Sequence, residues 1–326
     1  MKHLFALLLS VGLATGMLNT AHAAEAWPTK EIRMIVAFSA GGAVDLMARS
    51  MQTKLSEKLG VPILVENYPG AKGRICHNKF LQSDKEGYTI FVVSQTNLTM
   101  TRASNEKKYS LDDIAFINAN WIDPNIIVAR KALGWKNIDD MIKAAKASPD
   151  KYTLGVPSSA TFNCDVFVKK MNLPIKIIPY ANGAAARMAL MGGHIDMAAG
   201  GADGFETVRD ISHALCTFWE APSKTFPEGT PIREIAKKAN VELPTGSAIR
   251  VFAMHKDVQK NYPERFDRIV KAFKEIINDS EYIEFCKKTN IGHTWYGPEA
   301  TTKMIKADDD YWLPYVKATL NKQNSK

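Results

Sequence analysis

Residues 34–60 read MIVAFSAGGAVDLMARSMQTKLSEKLG. An apolar run over 34–38 meets a short loop with two glycines, and a segment of helical periodicity follows. A short apolar run bounded by turn residues predicts a buried strand, and the 3.6-residue period behind it predicts a helix. Ser39, Ala40, Gly41 and Gly42 therefore sit where a strand turns into a helix, and the first N–H groups of that helix have no internal partner. Glycine lets a ligand approach those groups and the helix dipole favours negative charge, so the loop is a candidate anion site. The dipole alone supplies about 0.3–1 kcal/mol. Hydrogen bonds to a charged group are worth about 1.5–3 kcal/mol each, so several converging donors can anchor a carboxylate without a paired arginine. The competing reading is a glycine turn selected for backbone conformation alone.

A nucleotide phosphate suits the loop poorly. Neither GxxxxGK[ST] nor GxGxxG with a following acidic residue is present. Asp45, one turn into the helix, would also repel a polyphosphate; it serves either the positive helix end or a donor group on the ligand.

Outward from this unit, apolar runs alternate with helical patterns. IRMIVAF, PILVEN, YTIFVVS, IAFINAN and PNIIVAR read as strands, and residues 44–60 and IDDMIKAAKAS as helices. A second series follows with KYTLGVPSS, IKIIPY, GAAARMALMGGHID, MAAGG and HALCTFW, and the last stretch of the chain is helical. Strands separated by helices predict two α/β units with parallel sheets. Three more loops resemble the first. VSQTN (93–97) ends a strand with Ser94, Gln95 and Thr96; GVPSSATFN (155–163) places Ser158, Ser159 and Thr161 before a helix; PYANGAAAR (179–187) gives another strand, small-residue loop and helix start. Two such loops in each unit describe a cleft lined by hydroxyls and backbone donors, at the carboxyl ends of the strands.

The remaining features exclude several classes. A chain of 326 residues, 46% hydrophobic and 23% charged, has room for two globular domains. The net charge of +8 is spread along the chain, which fits a solvated surface and no nucleic-acid footprint. MKH, the apolar LFALLLSVGLATGML and AHA at 21–23 make residues 1–23 a predicted signal peptide cleaved near Ala23, with a retained anchor as the alternative. Cys76, Cys164, Cys216 and Cys286 show no CxxC spacing; up to two disulfides are open to them, in any of three pairings. The histidines lack HxxxH or HxH spacing, so no metal and no cofactor is expected. GxSxG is absent and no enzyme activity is expected.

The mature chain resembles the substrate-binding proteins of tripartite tricarboxylate transporters, the Bug or TctC family. The family's Trp-Pro start, strand, F-x-P-G-G-x-x-D and V-V-E-N-x-P-G-A-x-G correspond here to WPTKEIRMIVAFSAGGAVD (27–45) and LSEKLGVPILVENYPGAKG (55–73). EGYTIFVVS (86–94), IPYANGAAARMALMGGHIDMA (178–198) and YGPEATTKMIKADDDYW (296–312) continue the likeness in order. The resemblance implies a two-domain periplasmic-binding-protein fold of the Venus flytrap, type II-like class. Its domains would comprise 24–122 with 249–326, and 123–248, and the hinge strands would lie near 118–125 and 246–251. It also implies a small carboxylate held in the cleft by backbone N–H groups and hydroxyls, then delivered to membrane permease subunits or presented to a signalling receptor. A periplasmic monomer with no nucleic-acid partner is expected. Carried over by position, the first-domain contacts are Ser39, Ala40, Gly41, Gly42, Asp45, Ser94, Gln95 and Thr96. Those of the second domain are Ser158, Ser159, Ala160, Thr161, Tyr180, Asn182, Gly183 and Ala184.

The sequence departs from that pattern at several of these positions. Ala40 replaces the usual proline, GVPSSATFNC replaces GSSGNGSxxH, and Gly200 and Gly201 stand where Asp-Asn is common on the cleft floor. Arg74 replaces a small or polar residue. Phe162 is a candidate apolar or stacking wall. Arg187 either pairs with a second carboxylate or is a solvated helix residue.

Overall fold

The computed structural model describes residues 27–104 and 108–324, so the expected leader and its cleavage point near Ala23 lie outside the described residues. Strand β1 (Ile32–Val36) is buried between two layers. Ile32, Met34 and Val36 face helix α1 (Ala43–Leu59), which presents Val44, Met47, Ala48, Met51, Leu55 and Leu59 as one helical stripe. Ile35 points the other way, into a cluster with Cys76, Phe80 and Phe91. Gly60, at φ 77°, ends α1 in left-handed geometry and returns its N–H to the carbonyl of Ser56.

The chain continues through β2 (Ile63–Asn67), α2 (Arg74–Leu81), β3 (Thr89–Ser94), α3 (Gln95–Ser104) and the long β4 (Ile114–Arg130). Next come α4 (Ile138–Ala147), β5 (Thr153–Pro157), α5 (Thr161–Lys170), β6 (Lys176–Tyr180), α6 (Gly183–Met191) and β7 (Met197–Gly201). The short α7 (Ala202–Phe205), β8 (Ser212–Thr217), the two-residue β9 (Thr230–Pro231) and α8 (Ile232–Ala239) follow. β10 (Ser247–His255) returns to the start of the fold, and α9 (Lys256–Asn261), α10 (Pro263–Ile277), α11 (Ser280–Thr289) and α12 (Gly297–Asn324) complete it.

The strands lie in the order β2-β1-β3-β10-β4-β7-β5-β6, with β8 on β4 and β9 on β8. β1 pairs parallel with β2 and β3, and β5 with β6 and β7, as the alternation of strands and helices predicts. The expectation of purely parallel sheets fails at β4 and β10, which run antiparallel to their neighbours. These two strands carry the chain from one half of the sheet to the other and back. IAFINAN and PNIIVAR, read separately in the sequence, are one strand of 17 residues. Pro124 causes the apparent break: β4 pairs with β10 up to Pro124 and with β7 from Asn125 onward. Proline has no N–H for a ladder, and it stands where β4 changes partners. Two hydrophobic clusters flank the first half of the sheet and two flank the second, giving a two-lobed α/β architecture.

Helix α12 links the lobes behind the sheet. Its buried Asp309 accepts from Thr99 Oγ1 of α3 at 2.6 Å and pairs with Arg102. Further along, Trp312 and Val316 pack with Phe162 and Val166 of α5, and Tyr315 Oη donates to Asp165 Oδ2 at 3.2 Å. All four cysteines are buried free thiols, so none of the three conceivable pairings forms.

One buried group predicts a pH dependence of stability. His77 lies among the rings of Phe80, Phe91 and Tyr109, and neither ring nitrogen has a hydrogen-bond partner among the described residues. Burial, with His255 and Lys108 adding to it, lowers its pKa from 6.5 to about 4. The unfolded chain therefore binds the proton first, and stability is full above pH 6.5 and falls as pH drops toward 4, by at most about 3 kcal/mol from this group. His255 is also lowered by burial and adds to the same slope. His77→Phe is expected to flatten part of the decline in urea midpoint between pH 6.5 and 4; an unchanged slope would refute the assignment.

Candidate ligand-binding cleft

A cavity of about 250 Å³ opens at the seam between the lobes, near the lower end of the ~300–1,000 Å³ usual for small-molecule sites. Ser39, Gly41, Gly42 and Ala43 line one side. Gly42 occupies the N-cap position of α1 and no side chain caps the helix, so the N–H groups of its first turn face the cavity unclaimed by a cap. Gly41 has φ 77°, and its N–H donates to Asp45 Oδ2 at 2.8 Å. Asp45 is buried and also accepts from Arg49 Nε at 3.0 Å and Asn67 Nδ2 at 2.9 Å. Burial opposes its ionisation, but the bonds from Arg49, Gly41 and Asn67 outweigh that and hold the carboxyl below its ordinary range. Asp45 thus braces the loop from behind and lies outside the cavity lining.

Across the cavity stands a second helix N-terminus. Gly183 and Ala184 open α6, while Asn182 accepts from the N–H of Ala185 at 2.9 Å and acts as its N-cap. Ser159 adds a third loop, and Gly200 and Gly201 lie at the end of β7. Ser94 also lines the space, but its hydroxyl donates to Asn97 Oδ1 at 2.5 Å.

The floor comes from the two strands that cross between lobes. In register, Ala248 lies opposite Asp123 and Arg250 opposite Trp121, so all four share one face of the sheet. Arg250 stacks on Trp121 at 3.8 Å and approaches Asp123 with Nη2 to Oδ2 at 3.5 Å. Trp121 Nε1 donates to Asp203 Oδ2 at 3.0 Å, and Thr225 Oγ1 donates to Asp203 Oδ1 at 3.0 Å. Asp203 N–H in turn donates to Asp123 Oδ1 at 3.2 Å. Burial pushes Asp123 up to about 7 despite the attraction of Arg250, and it lowers the Arg250 guanidinium against the pull of Asp123. Both partners are shifted toward neutrality, so the fold holds this pair together more than the pair holds the fold.

Of the residues expected at the site, Ser39, Gly41, Gly42, Ser94, Ser159, Asn182, Gly183, Ala184, Gly200 and Gly201 line the cavity. Ala40, Asp45, Gln95, Thr96, Ala160, Thr161, Phe162 and Tyr180 are placed elsewhere. Ala40 is on the exposed outer side of its turn. Gln95 and Thr96 are buried in α3, which begins directly after β3 with no loop, and Gln95 donates to Thr99. Ser158 belongs to the turn before α5; Ala160 is buried in the second-lobe core, and Thr161 donates to the carbonyl of Pro157. Tyr180 packs over Gly155, where a Cβ would meet its ring at 3.0 Å. Phe162 faces Trp312 at the rear, with ring centroids 5.5 Å apart, and forms no wall of the cleft. The residues that sequence reading assigned to the hinge alone, Trp121, Asp123 and Arg250, are part of the lining. The alternation W-x-D and A-x-R was the available signal, and it becomes informative once the register of β4 and β10 is known.

The sequence model of the tripartite tricarboxylate transporter family receptor, TctC, matches residues 47–319. The chain belongs to the TctC family. This TctC protein is 30% identical over 184 residues to a UPF0065 protein of Bordetella pertussis, a match covering 55% of the chain and 57% of that relative. It is 26% identical over 277 residues to the UPF0065 protein in the gbd 5′ region of Cupriavidus necator, covering 82% and 81%. Two of the solved structures that share its fold carry bound ligands. MatC from Rhodopseudomonas palustris with bound malate has TM-score 0.74 and 17% identity over 89% of the chain and 100% of that structure. R. palustris Rpa4515 with adipate has TM-score 0.74 and 18% identity over 90% and 98%. The fold is thus the expected two-domain periplasmic-binding-protein fold with its cleft between the lobes. TctC proteins are solute-binding receptors and not enzymes.

Proposed function

We propose that this TctC protein is an extracytoplasmic receptor that closes on a small carboxylate and delivers it to the permease subunits of a tripartite tricarboxylate-type transporter. Under this reading the leader 1–23 directs export to the periplasm, and the protein works there as a monomer. The lobes, 24–122 with 249–326 and 123–248, rotate about the crossing strands near 118–125 and 246–251. The observation that carries the reading is the pair of helix N-termini, α1 without a side-chain cap and α6, aimed at one cavity from opposite lobes. Carboxylate oxygens accept from such N–H groups in charge-assisted bonds. Malate and adipate in the two similar structures are acids of the same class.

The test is a thermal-shift screen of protein produced from the full chain against mono-, di- and tricarboxylates, aromatic acids and amino acids. A ligand at about 100 times its dissociation constant adds about 2.7 kcal/mol of stability. Folded, ligand-free protein that no member of the panel shifts would overturn the reading. Gly42→Asp sharpens it. The backbone at Gly42 is extended, at φ −81°, and a Cβ there meets only the carbonyl of Ser39 at 3.3 Å. Aspartate is a favourable N-cap residue, so the variant is expected to melt within a few degrees of wild type while its carboxylate lowers ligand affinity at least about tenfold. Unchanged affinity would show that this loop does not hold the anion.

A further inference from the structure

We infer that this receptor takes up its anion together with a proton: the charge of the bound carboxylate drives a proton onto Asp123, and the floor of the cleft turns from neutral to net positive beneath it. The inference rests on the receptor reading above and adds a regulation of the same site. Among the described residues that line the cavity, the charged side chains are Asp123, Arg187, Asp203 and Arg250. Two guanidinium groups face two carboxyls, so with all four ionised their charges cancel. The side chains of the cleft then offer an incoming anion no net attraction. A buried carboxylate beside that anion also repels it, and the low dielectric of the site strengthens the repulsion. One proton on the floor removes both penalties.

The hydrogen bonds of the floor select Asp123 as the group that takes it. Asp203 N–H donates to Asp123 Oδ1 at 3.2 Å. Asp123 Oδ2 has no hydrogen-bond partner among the described residues and stays 3.5 Å from Arg250 Nη2, so it is the open position for a proton. Asp203, by contrast, is engaged at both oxygens, by Trp121 Nε1 and Thr225 Oγ1. Burial pushes the Asp123 carboxyl up to about 7, against the attraction of Arg250 on β10 and with the repulsion of Asp203 on α7. Asp123 also acts electrostatically on Arg187 of α6, and Gly200 and Gly201 of β7 bring no ionisable group. The free receptor therefore stands where one added negative charge decides the protonation of its floor. A carboxylate in the cavity is such a charge, and a like charge nearby raises a carboxyl pKa further. By linkage, a proton that the ligand favours also favours the ligand. Affinity is highest below the free-state value, where Asp123 already holds the proton, and falls as pH rises through the window between the free and bound values.

The experiment is titration calorimetry with malate and with adipate, or with the acid of the screening panel that raises the melting temperature most. It is run between about pH 6.5 and 9, and near the middle of that range in two buffers of unlike ionisation enthalpy, HEPES and Tris. The dissociation constant of wild type is expected to rise at least about tenfold over the range. At about pH 7.5 the binding heats in the two buffers are expected to differ by the equivalent of about half a proton or more taken up per ligand. Asp123→Asn keeps the shape of the side chain and the acceptor for Asp203 N–H, and it carries no charge at any pH. The variant is expected to flatten the pH profile, erase the difference between buffers and bind more tightly than wild type at about pH 9. Melting temperatures report folding, and the two-buffer heats of wild type decide the matter even where the variant does not fold. A constant dissociation constant with equal heats in both buffers would overturn the proton uptake and leave the carboxylate receptor standing. A slope that persists in folded Asp123→Asn would overturn the assignment to Asp123. If folded wild type binds no acid of the whole panel, both readings fall together.

Discussion

Gly201→Asn is expected to lower the melting temperature by roughly 10 °C and to bring ligand affinity below detection by calorimetry. The substitution introduces a polar side chain on the cleft floor, and it fails here because the space is taken. A Cβ at Gly201 would run into the Asp123 carboxylate at Oδ2. The backbone is no obstacle, since Gly201 has φ −64°, open to any residue. Asp123 is 1% exposed and tied to Asp203 N–H, so relief requires its removal from the floor. Arg250 is then buried without its counter-ion, a change that costs about 3–5 kcal/mol. At about 2–4 °C per kcal/mol for a chain of this size class, the loss is well outside the error of a melt. A Gly201→Asn protein that melts like wild type would mean that Asp123 does not fill the floor as described.

The second large effect is expected at Asp45. Asp45→Asn keeps the shape of the side chain but replaces one acceptor oxygen with a donor nitrogen. Both oxygens of Asp45 accept, Oδ1 from Asn67 and Arg49, Oδ2 from Gly41 N–H and Arg49. The amide must therefore turn N–H against N–H at one of these contacts. The expected loss is about 3 kcal/mol of stability, by urea unfolding. With the amide nitrogen turned toward Gly41, that N–H loses its acceptor, and ligand affinity is then expected to fall about tenfold as well. The sign of the pH effect follows from a folded pKa held below the unfolded value. The stabilisation from Asp45 is present above the ordinary carboxylate range, about pH 4, and is lost as pH falls through the lower folded value. Asp45→Asn removes that part of the acid limb. A variant with wild-type stability at about pH 7 would show that the brace is not needed to hold the loop.

The two helix N-termini were legible in the sequence because a strand, a small-residue loop and a helical period are local signals. Gly41, Gly42, Gly183 and Ala184 reach the cavity for that reason. The floor was not legible in the same way. Trp121 and Arg250 are 129 positions apart in sequence, and only the antiparallel register of β4 with β10 places them opposite each other. Pro124 hid this further by making one strand read as two. Phe162 shows the converse limit: an aromatic residue beside a hydroxyl-rich loop reads as a cleft wall, yet α5 turns it toward Trp312 on the far side. Which face of a short helix meets the ligand depends on its neighbours, and here the neighbour is α12, more than a hundred residues later.

That rear contact bears on how the cleft can move. α12 is fastened to α3 through Asp309 and to α5 through Phe162, Trp312 and Tyr315, on the side of the sheet away from the mouth. The proposed rotation about the crossing strands has to carry this tie along with it. The Phe162–Trp312 pair is thus a joint between the two lobes that lies outside the lining of the cleft.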